Sequence, residues 1–317
     1  MRGRIAALVS IGVVAAVLCL LPFVISDYNV SLAARVGIFF IAILGLDILT
    51  GYTGQISIGH GAFMCIGGYT TAVLSRDHHT NLVVTMLVAF AICFVVGFLV
   101  GLPALRLSGA YLALVTFALA VSVPLLPLKW STFLGGRDGV QTSQEVSNLW
   151  LYVVAWAASA ILLALAWLIL RGRVGRAFRA VRDSEIAAVA SGIELPVYKT
   201  LAFGISAAYA GVAGSLFVLA NNGFAAPDEF AIVLSLQILI GAAVAGLGSL
   251  WGVLVGALFI GLLPSVSSSV PVIGSEHGQD VVFGAAVILV MLLLPDGFAS
   301  LLARLNWGRA GRSARGA

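Results

Sequence analysis

Apolar runs of about 20 residues recur along almost the whole chain, and nothing else in the sequence restricts its fold as much. That length lets a helix rising about 1.5 Å per residue cross the roughly 30 Å hydrocarbon layer of a bilayer. Lipid offers no partner to an open backbone N–H or C=O, so runs of this kind imply helices. No alternating strand pattern supports a β-barrel. Only 9% of the 317 residues are charged, against about a quarter in soluble domains. Such a composition cannot cover a soluble surface of this size. The expected fold is an all-α polytopic membrane protein, a single transmembrane domain over residues 1–317.

Ten transmembrane helices are predicted, at about 5–25, 33–50, 57–75, 82–102, 110–128, 149–170, 200–220, 230–247, 250–268 and 281–301. Arg2 and Arg4 ahead of the first run resemble a signal peptide. The run from Ile5 to Ile25 is longer than a usual signal core, and Leu32-Ala33-Ala34 is a poor cleavage site, so an uncleaved first span is expected. Cys19, Cys65 and Cys93 all sit in apolar runs, without metal-ligand spacing. The net charge of +4 comes from cations dispersed at span ends, so it signals topology and not nucleic-acid binding.

With the N-terminus inside, Arg2, Arg4, Arg106, Arg171, Arg173, Arg176, Arg179, Arg182, Lys199, Arg304, Arg309, Arg312 and Arg315 fall on the cytoplasmic side. Only Arg35, Arg76, Lys129 and Arg137 fall outside. The asymmetry predicts both termini in the cytoplasm, with a flexible tail at about 303–317. Spans two to five and seven to ten form two four-helix blocks offset by an odd number of spans. The second block is therefore expected to run inverted, a recurrent transporter arrangement.

Four features carry functional weight. The first is Gly51 to Phe63, GYTGQISIGHGAF, with four glycines in eleven residues. So many glycines cannot make a strong helix, and a broken segment at membrane depth is tolerated where it is covered by protein or lines a cavity. One reading is a discontinuous helix beside the translocation path, with Gly54, Gln55, Ser57, Gly59, His60 and Gly61 along it. The other is close helix packing with the polar groups as interhelical glue. Asp47, just before it, reads as a solvated or capping acid at the end of span two.

The second feature is the external loop at about 129–148, where Gly135, Gly136, Arg137 and Asp138 form a turn-rich cluster. It reads as an outer gate or a contact for a binding protein, or as a plain connection. The third is the cytoplasmic stretch 171–199. Val174, Phe178 and Val181 form one helical stripe, and the arginines occupy the other faces. Alone, that would mean contact with anionic membrane lipid. After it, Asp183 or Ser184 can cap a second short helix, Glu185 suits its positive end, Gly192 can close it, and Pro196 stops it from continuing. A short, separately capped helix on the cytoplasmic surface is better read as a docking knob for a partner protein. The fourth is Gly241 to Gly252, in which Gly246 and Gly248 permit a tight turn and Gly252 and Gly256 make a small-residue face.

No GxxxxGK[ST], HExxH or GxSxG occurs, and no carboxylate pair sits in a plausible cleft. Enzymatic chemistry in this chain is not expected, nor is a metal or an ATP site. A transporter coupled to ions and working alone would want a buried ionisable pair, which the sequence lacks.

At this point the residues resemble a known family. Gly45 to Phe63 (GLDILTGYTGQISIGHGAF) followed by Gly67 to Thr70 (GGYT) looks like the early signature of LivM-type permeases of branched-chain amino acid ABC importers. Val174 to Asp183 (VGRAFRAVRD) and Glu185 to Ile193 (EIAAVASGI) resemble their cytoplasmic coupling loop, with Arg182, Asp183, Glu185, Ala187, Ala188 and Gly192 at the motif positions. Gly246 to Gly252 (GLGSLWG) and Leu294 to Gly297 (LPDG) resemble later landmarks. Two departures are an arginine at 137, where a small residue is usual, and an acid at 47, where Asn is more common. The resemblance implies a bacterial inner-membrane machine. A second homologous permease would complete the pathway, and two cytoplasmic ATPases would bind ATP and Mg. An extracytoplasmic substrate-binding protein would deliver a branched-chain amino acid. Relatives with this signature also take urea, short amides or aromatic acids.

Overall fold

The computed structural model describes residues 26–268, apart from 79, 106, 108 and 145, together with isolated positions between 284 and 298. The expected first span (5–25), most of the tenth (281–301) and the tail (303–317) lie outside the described residues.

The first described helix, α1 (Asp27–Leu46), runs without interruption into a single π turn, Asp47–Gly51. Then come α2 (His60–His78) and α3 (Leu82–Ala104). The Asn81 side chain accepts from Val83 N at 2.9 Å and starts α3. α4 (Ala110–Ser122) gives way to a 3₁₀ turn, Val123–Leu125, and two four-residue helices, α5 (Leu126–Lys129) and α6 (Ser131–Leu134). Pro124 and Pro127 cause the change, since each removes a backbone N–H from the ladder.

Strand β1 (Val140–Gln141) precedes α7 (Asn148–Arg171), which Ser147 caps by accepting from Trp150 N. On the cytoplasmic side by the sequence reading lie α8 (Arg173–Asp183) and α9 (Glu185–Ala190). The chain re-enters as α10 (Leu195–Ala220), passes through β2 (Phe224–Ala225) and a 3₁₀ turn (Pro227–Phe230), and ends its described part with α11 (Ile232–Ala245) and α12 (Gly252–Ser268).

Among the described residues, six helical stretches are long and apolar enough to cross a membrane: Asp27–Gly51, Leu82–Pro103, Ala110–Lys129, Asn148–Arg171, Leu195–Ala220 and Pro227–Ala245. α2 and α12 occupy two further expected spans. α2 is diluted by glycines and by Arg76 and Asp77, and α12 is short. This is a multi-pass helical membrane protein.

α1 and α10 form its centre. The apolar window of α10 is 94% buried and that of α1 83%, against 28% for α3, α4's stretch and α7, which turn broad faces outward to lipid. α10 packs along α3 and α2; α1 packs along α7, α12 and α11. Small residues permit the contacts: a Cβ on Gly67 of α2 would meet the backbone of Gly211 in α10, and one on Gly256 of α12 would meet the Gly241 carbonyl in α11. Hydroxyls seal the seams. Ser206 Oγ donates to Gly45 O at 2.7 Å, Ser215 Oγ to Gly67 O at 3.2 Å and Ser159 Oγ to Gly37 O at 3.1 Å. Each joins two helices where water has no access.

Three expectations need correcting. The third span begins at His60, because 54–59 is not helical. The seventh begins at Leu195, with Pro196 in its first turn, where a missing N–H costs nothing. The loop at 129–148 holds more local structure than its turn-rich sequence shows. It is built from α6, three left-handed glycines (Gly135, Gly136 and Gly139) and β1, which pairs antiparallel with β2 in the register Val140 to Ala225.

Candidate functional site

The cytoplasmic hairpin of α8 and α9 connects to both central helices. α8 forms because its apolar stripe has a core to meet. Phe178 is fully buried and Val181 nearly so, and the Phe178 ring stands edge-on to Tyr198 of α10 at 6.5 Å. Arg173, Arg176 and Arg179 stay exposed, while Arg171 stacks on the Trp167 ring at 3.8 Å. Arg182 is exposed as well, but its Nη1 donates to the carbonyl of Gly51 at the end of the π turn.

α9 is closed at both ends. Ser184 Oγ accepts from Ala187 N, so Ser184 is the cap and Asp183 is the last residue of α8. At the other end Gly192 sits at φ 79°, and Ile193 N donates to Ala188 O while Gly192 N donates to Val189 O. That paired bonding is a Schellman closure. Glu185 is salt-bridged to Lys199 of α10 at 2.7 Å; Lys199 is buried and Glu185 half exposed. Ala188 faces inward, whereas Ile186 is 85% and Val189 55% exposed. A six-residue helix thus offers apolar side chains away from the protein and is tied to α10 through Glu185, while Arg182 at the end of α8 ties the same hairpin to the π turn that follows α1.

The broken segment lies directly behind this hairpin. A Cβ on Gly51 would collide with the Asp47 carboxylate and Gly248 N, and Gly54 takes φ 73° beside Arg182. Only glycine fits either position. Gln55, Ser57 and His60 are all buried, and Gly59 and Gly61 with them; Gly54 and Ile56 are exposed. Gln55 Nε2 donates to Thr53 Oγ1, Thr50 Oγ1 donates to Gln55 O, and Ile58 N donates to Thr116 Oγ1 of α4. Gly61 N donates to Ser235 Oγ of α11 at 2.8 Å. His60 Nε2 lies 2.8 Å from Ser206 Oγ. The single proton of that hydroxyl goes to Gly45 O, so Nε2 is the donor and Nδ1 has no partner among the described residues. The segment is pinned to four helices at once.

Asp47 is neither solvated nor a helix cap. It is 1% exposed, and its Oδ1 accepts from Gly248 N at 2.6 Å. That bond holds the turn between α11 and α12, where Gly246 and Gly248 both have positive φ. Asp47→Ala would leave a buried N–H unpaired and destabilise the fold by about 1–3 kcal/mol, whereas Asp47→Asn keeps an oxygen in place. Thermal unfolding of the purified chain should rank Asn near wild type and Ala well below. Equal losses for the two would refute the hydrogen-bond role.

At the opposite end, Arg35 Nη2 donates to Asn221 Oδ1 at 3.0 Å, and Asn221 Nδ2 donates to Glu229 Oε2 at 2.8 Å. Sequence reasoning treated Arg35 as a topology marker only. A lone arginine inside an apolar run was the available signal. Gly135, Gly136, Arg137 and Asp138 are at this end too, beside the β1–β2 ribbon, with Arg137 and Asp138 exposed. They do not meet the broken segment. Among the described residues no group of His, Cys, Asp and Glu is arranged to hold a metal.

Comparison with known proteins places the sequence in a family. Residues 28–292 match the family described as branched-chain amino acid transport system / permease component. The chain is 31% identical over 307 residues to the high-affinity branched-chain amino acid transport system permease protein LivM of Escherichia coli strain K12, covering 87% of this chain and 71% of that one. It is 25% identical over 278 residues to LivH of the same strain, covering 80% and 88%. It is also 29% identical over 168 residues to the autoinducer 2 import system permease protein LsrC of Klebsiella pneumoniae, covering 51% and 48%. No solved structure matches.

Proposed function

The chain belongs to the branched-chain amino acid transport system permease family, and from that premise we propose that it carries branched-chain amino acids inward as one of two homologous permeases in an ATP-driven importer. It is a transport subunit and not an enzyme. Two cytoplasmic ATPases bind ATP and Mg and dock on α9, and an extracytoplasmic binding protein delivers substrate. The chain sits as one domain in a bacterial inner membrane, both termini in the cytoplasm. The relatives named LivM and LivH support the pairing of two permeases.

One observation carries this reading: an exposed apolar knob, Ile186 and Val189, on a capped helix in a hairpin that is tied to α10 through Glu185 and to the π turn after α1 through Arg182. Movement of the knob pulls on Gly51 through Arg182 and on α10 through Lys199. Gly51 heads the segment Gly54–Gly61, which lies beside the translocation path, with Gln55, Ser57 and His60 setting its shape. Gly135, Gly136, Arg137 and Asp138 form the outer gate or meet the binding protein.

Ten spans and an inverted repeat belong to the same proposal. The packing supports it. α10 rests on α2 and α3 as α1 rests on α11 and α12. Arg35 of α1 reaches Asn221 at the end of α10, which in turn bonds Glu229 in the turn before α11, and Ser206 of α10 reaches the end of α1 and the start of α2.

Uptake tests the substrate. In cells expressing the chain with its partner subunits, labelled leucine should accumulate, and excess isoleucine or valine should suppress it while urea does not. Suppression by urea or an amide alone would overturn the amino acid reading and leave the permease role standing.

A further inference from the structure

A cavity of about 390 Å³ lies between α2, α3 and the turns that follow α4, on the end of the molecule opposite the arginine-rich hairpin. Its volume is within the range of ligand sites, but its chemistry excludes a zwitterion. Its wall is almost wholly hydrocarbon, and Thr70, one of its few polar residues, spends its hydroxyl on Ile66 O at 2.7 Å. An amino acid's two charges would have no partners there, a cost of several kcal/mol each. We propose that the cavity holds one acyl chain of a membrane phospholipid.

Three observations fit that occupant. Along α2 the wall runs from Cys65 to Leu74, a rise of about 14 Å at roughly 1.5 Å per residue. That is half of the roughly 30 Å hydrocarbon layer, the reach of one leaflet. The wall also opens sideways at that depth, since Ile92, Trp130 and Phe133, which line it, are themselves exposed to the bundle's outside. Trp130 and Phe133 stand at the mouth as interfacial aromatics do. Finally, Lys129 adjoins the mouth, is exposed, and has no ion-pair partner among the described residues, while nearby Arg76 is already paired with Asp77. An anionic headgroup complements that free cation. Tyr69, 5% exposed and lining the cavity, has a hydroxyl without a partner among the described residues. The lipid belongs to the leaflet opposite α8, the outer one in the orientation proposed above; the site itself does not depend on the substrate or on the ATPases.

The test uses the full chain in bilayers of phosphatidylglycerol and phosphatidylethanolamine. After extraction, native mass spectrometry should find one phospholipid that survives activation stripping the rest. Val73→Trp, which fills the cavity, should lose it. Val95→Trp, on the exposed face of α3, should keep it. Lys129→Gln should lower the preference for phosphatidylglycerol by about fivefold while retaining a lipid. In the wild-type protein, phosphatidylglycerol with a photoreactive group at mid-chain should label residues 65–74 and 123–134 above all others, a readout that needs no variant to fold. Uniform labelling, a retained lipid in Val73→Trp, or occupation of the cavity by a second permease chain in cross-linking from Trp130 would each overturn the proposal.

Discussion

Replacing Ile186 by Asp should release the ATPases and stop uptake while leaving the permease folded. The side chain is 85% exposed, so nothing inside the protein depends on it. The Ser184 cap, the Gly192 closure and the Glu185–Lys199 pair are all untouched by the change. An apolar anchor at the centre of an interface is worth about 2–4 kcal/mol, a factor of roughly 30 to 1000 in affinity, and a carboxylate in its pocket adds desolvation to the loss. Pull-down of the ATPases with the purified chain measures the first effect and leucine uptake the second. Asp at Ala188 is the contrast. That residue is buried, so its substitution should damage the hairpin itself and lower the melting temperature. If Ile186→Asp binds ATPase as wild type does, α9 is not the docking surface.

The second large effect lies in the membrane. Gly67→Leu should keep the protein from accumulating in folded form. Its Cβ would meet the carbonyl, Cα and C of Gly211, backbone atoms that cannot swing away. α2 and α10 must then separate along the whole crossing. That also breaks Ser215 Oγ to Gly67 O at 3.2 Å and Thr71 Oγ1 to Ser215 Oγ at 2.8 Å. Overpacking at one site costs about 1–3 kcal/mol; here the shared rigid crossing adds lost contacts to that figure. Val95→Phe, which adds as many side-chain carbons on an exposed face of α3, should change nothing. Yield of monodisperse protein after extraction separates the two. A Gly67→Leu chain with wild-type yield and melting temperature would contradict the packing described for α10.

What was legible in the sequence was local. Ser184, Gly192 and Pro196 marked α9 because caps and breakers act within a few residues of themselves. Gly246 and Gly248 marked a turn for the same reason, and both have left-handed backbone. The Val174–Phe178–Val181 stripe pointed to a buried face, and Phe178 is fully buried. What was not legible depends on distant partners. Asp47 looked solvated, since nothing beside it in sequence shows that Gly248 comes to it. The two-residue strands at 140 and 224 are too short to have a pattern, and each exists because the other is there. His60 is open in sequence to two readings, a pathway side chain or interhelical glue, and nothing beside it in sequence shows that Ser206 of α10 comes to it. The broken segment Gly51–Gly61 takes its shape from contacts with α8, α4, α10 and α11, and no single helix encodes it.

The central claim is that α9 is where ATP-driven motion enters the membrane. The most direct measurement places a photo-cross-linking residue at position 186 in the chain assembled with its partner subunits. The account predicts one dominant adduct, with an ATPase subunit, whose yield changes when ATP is bound. Adducts with lipid alone, or an ATPase adduct no stronger than one formed from position 95 on the exposed face of α3, would contradict it.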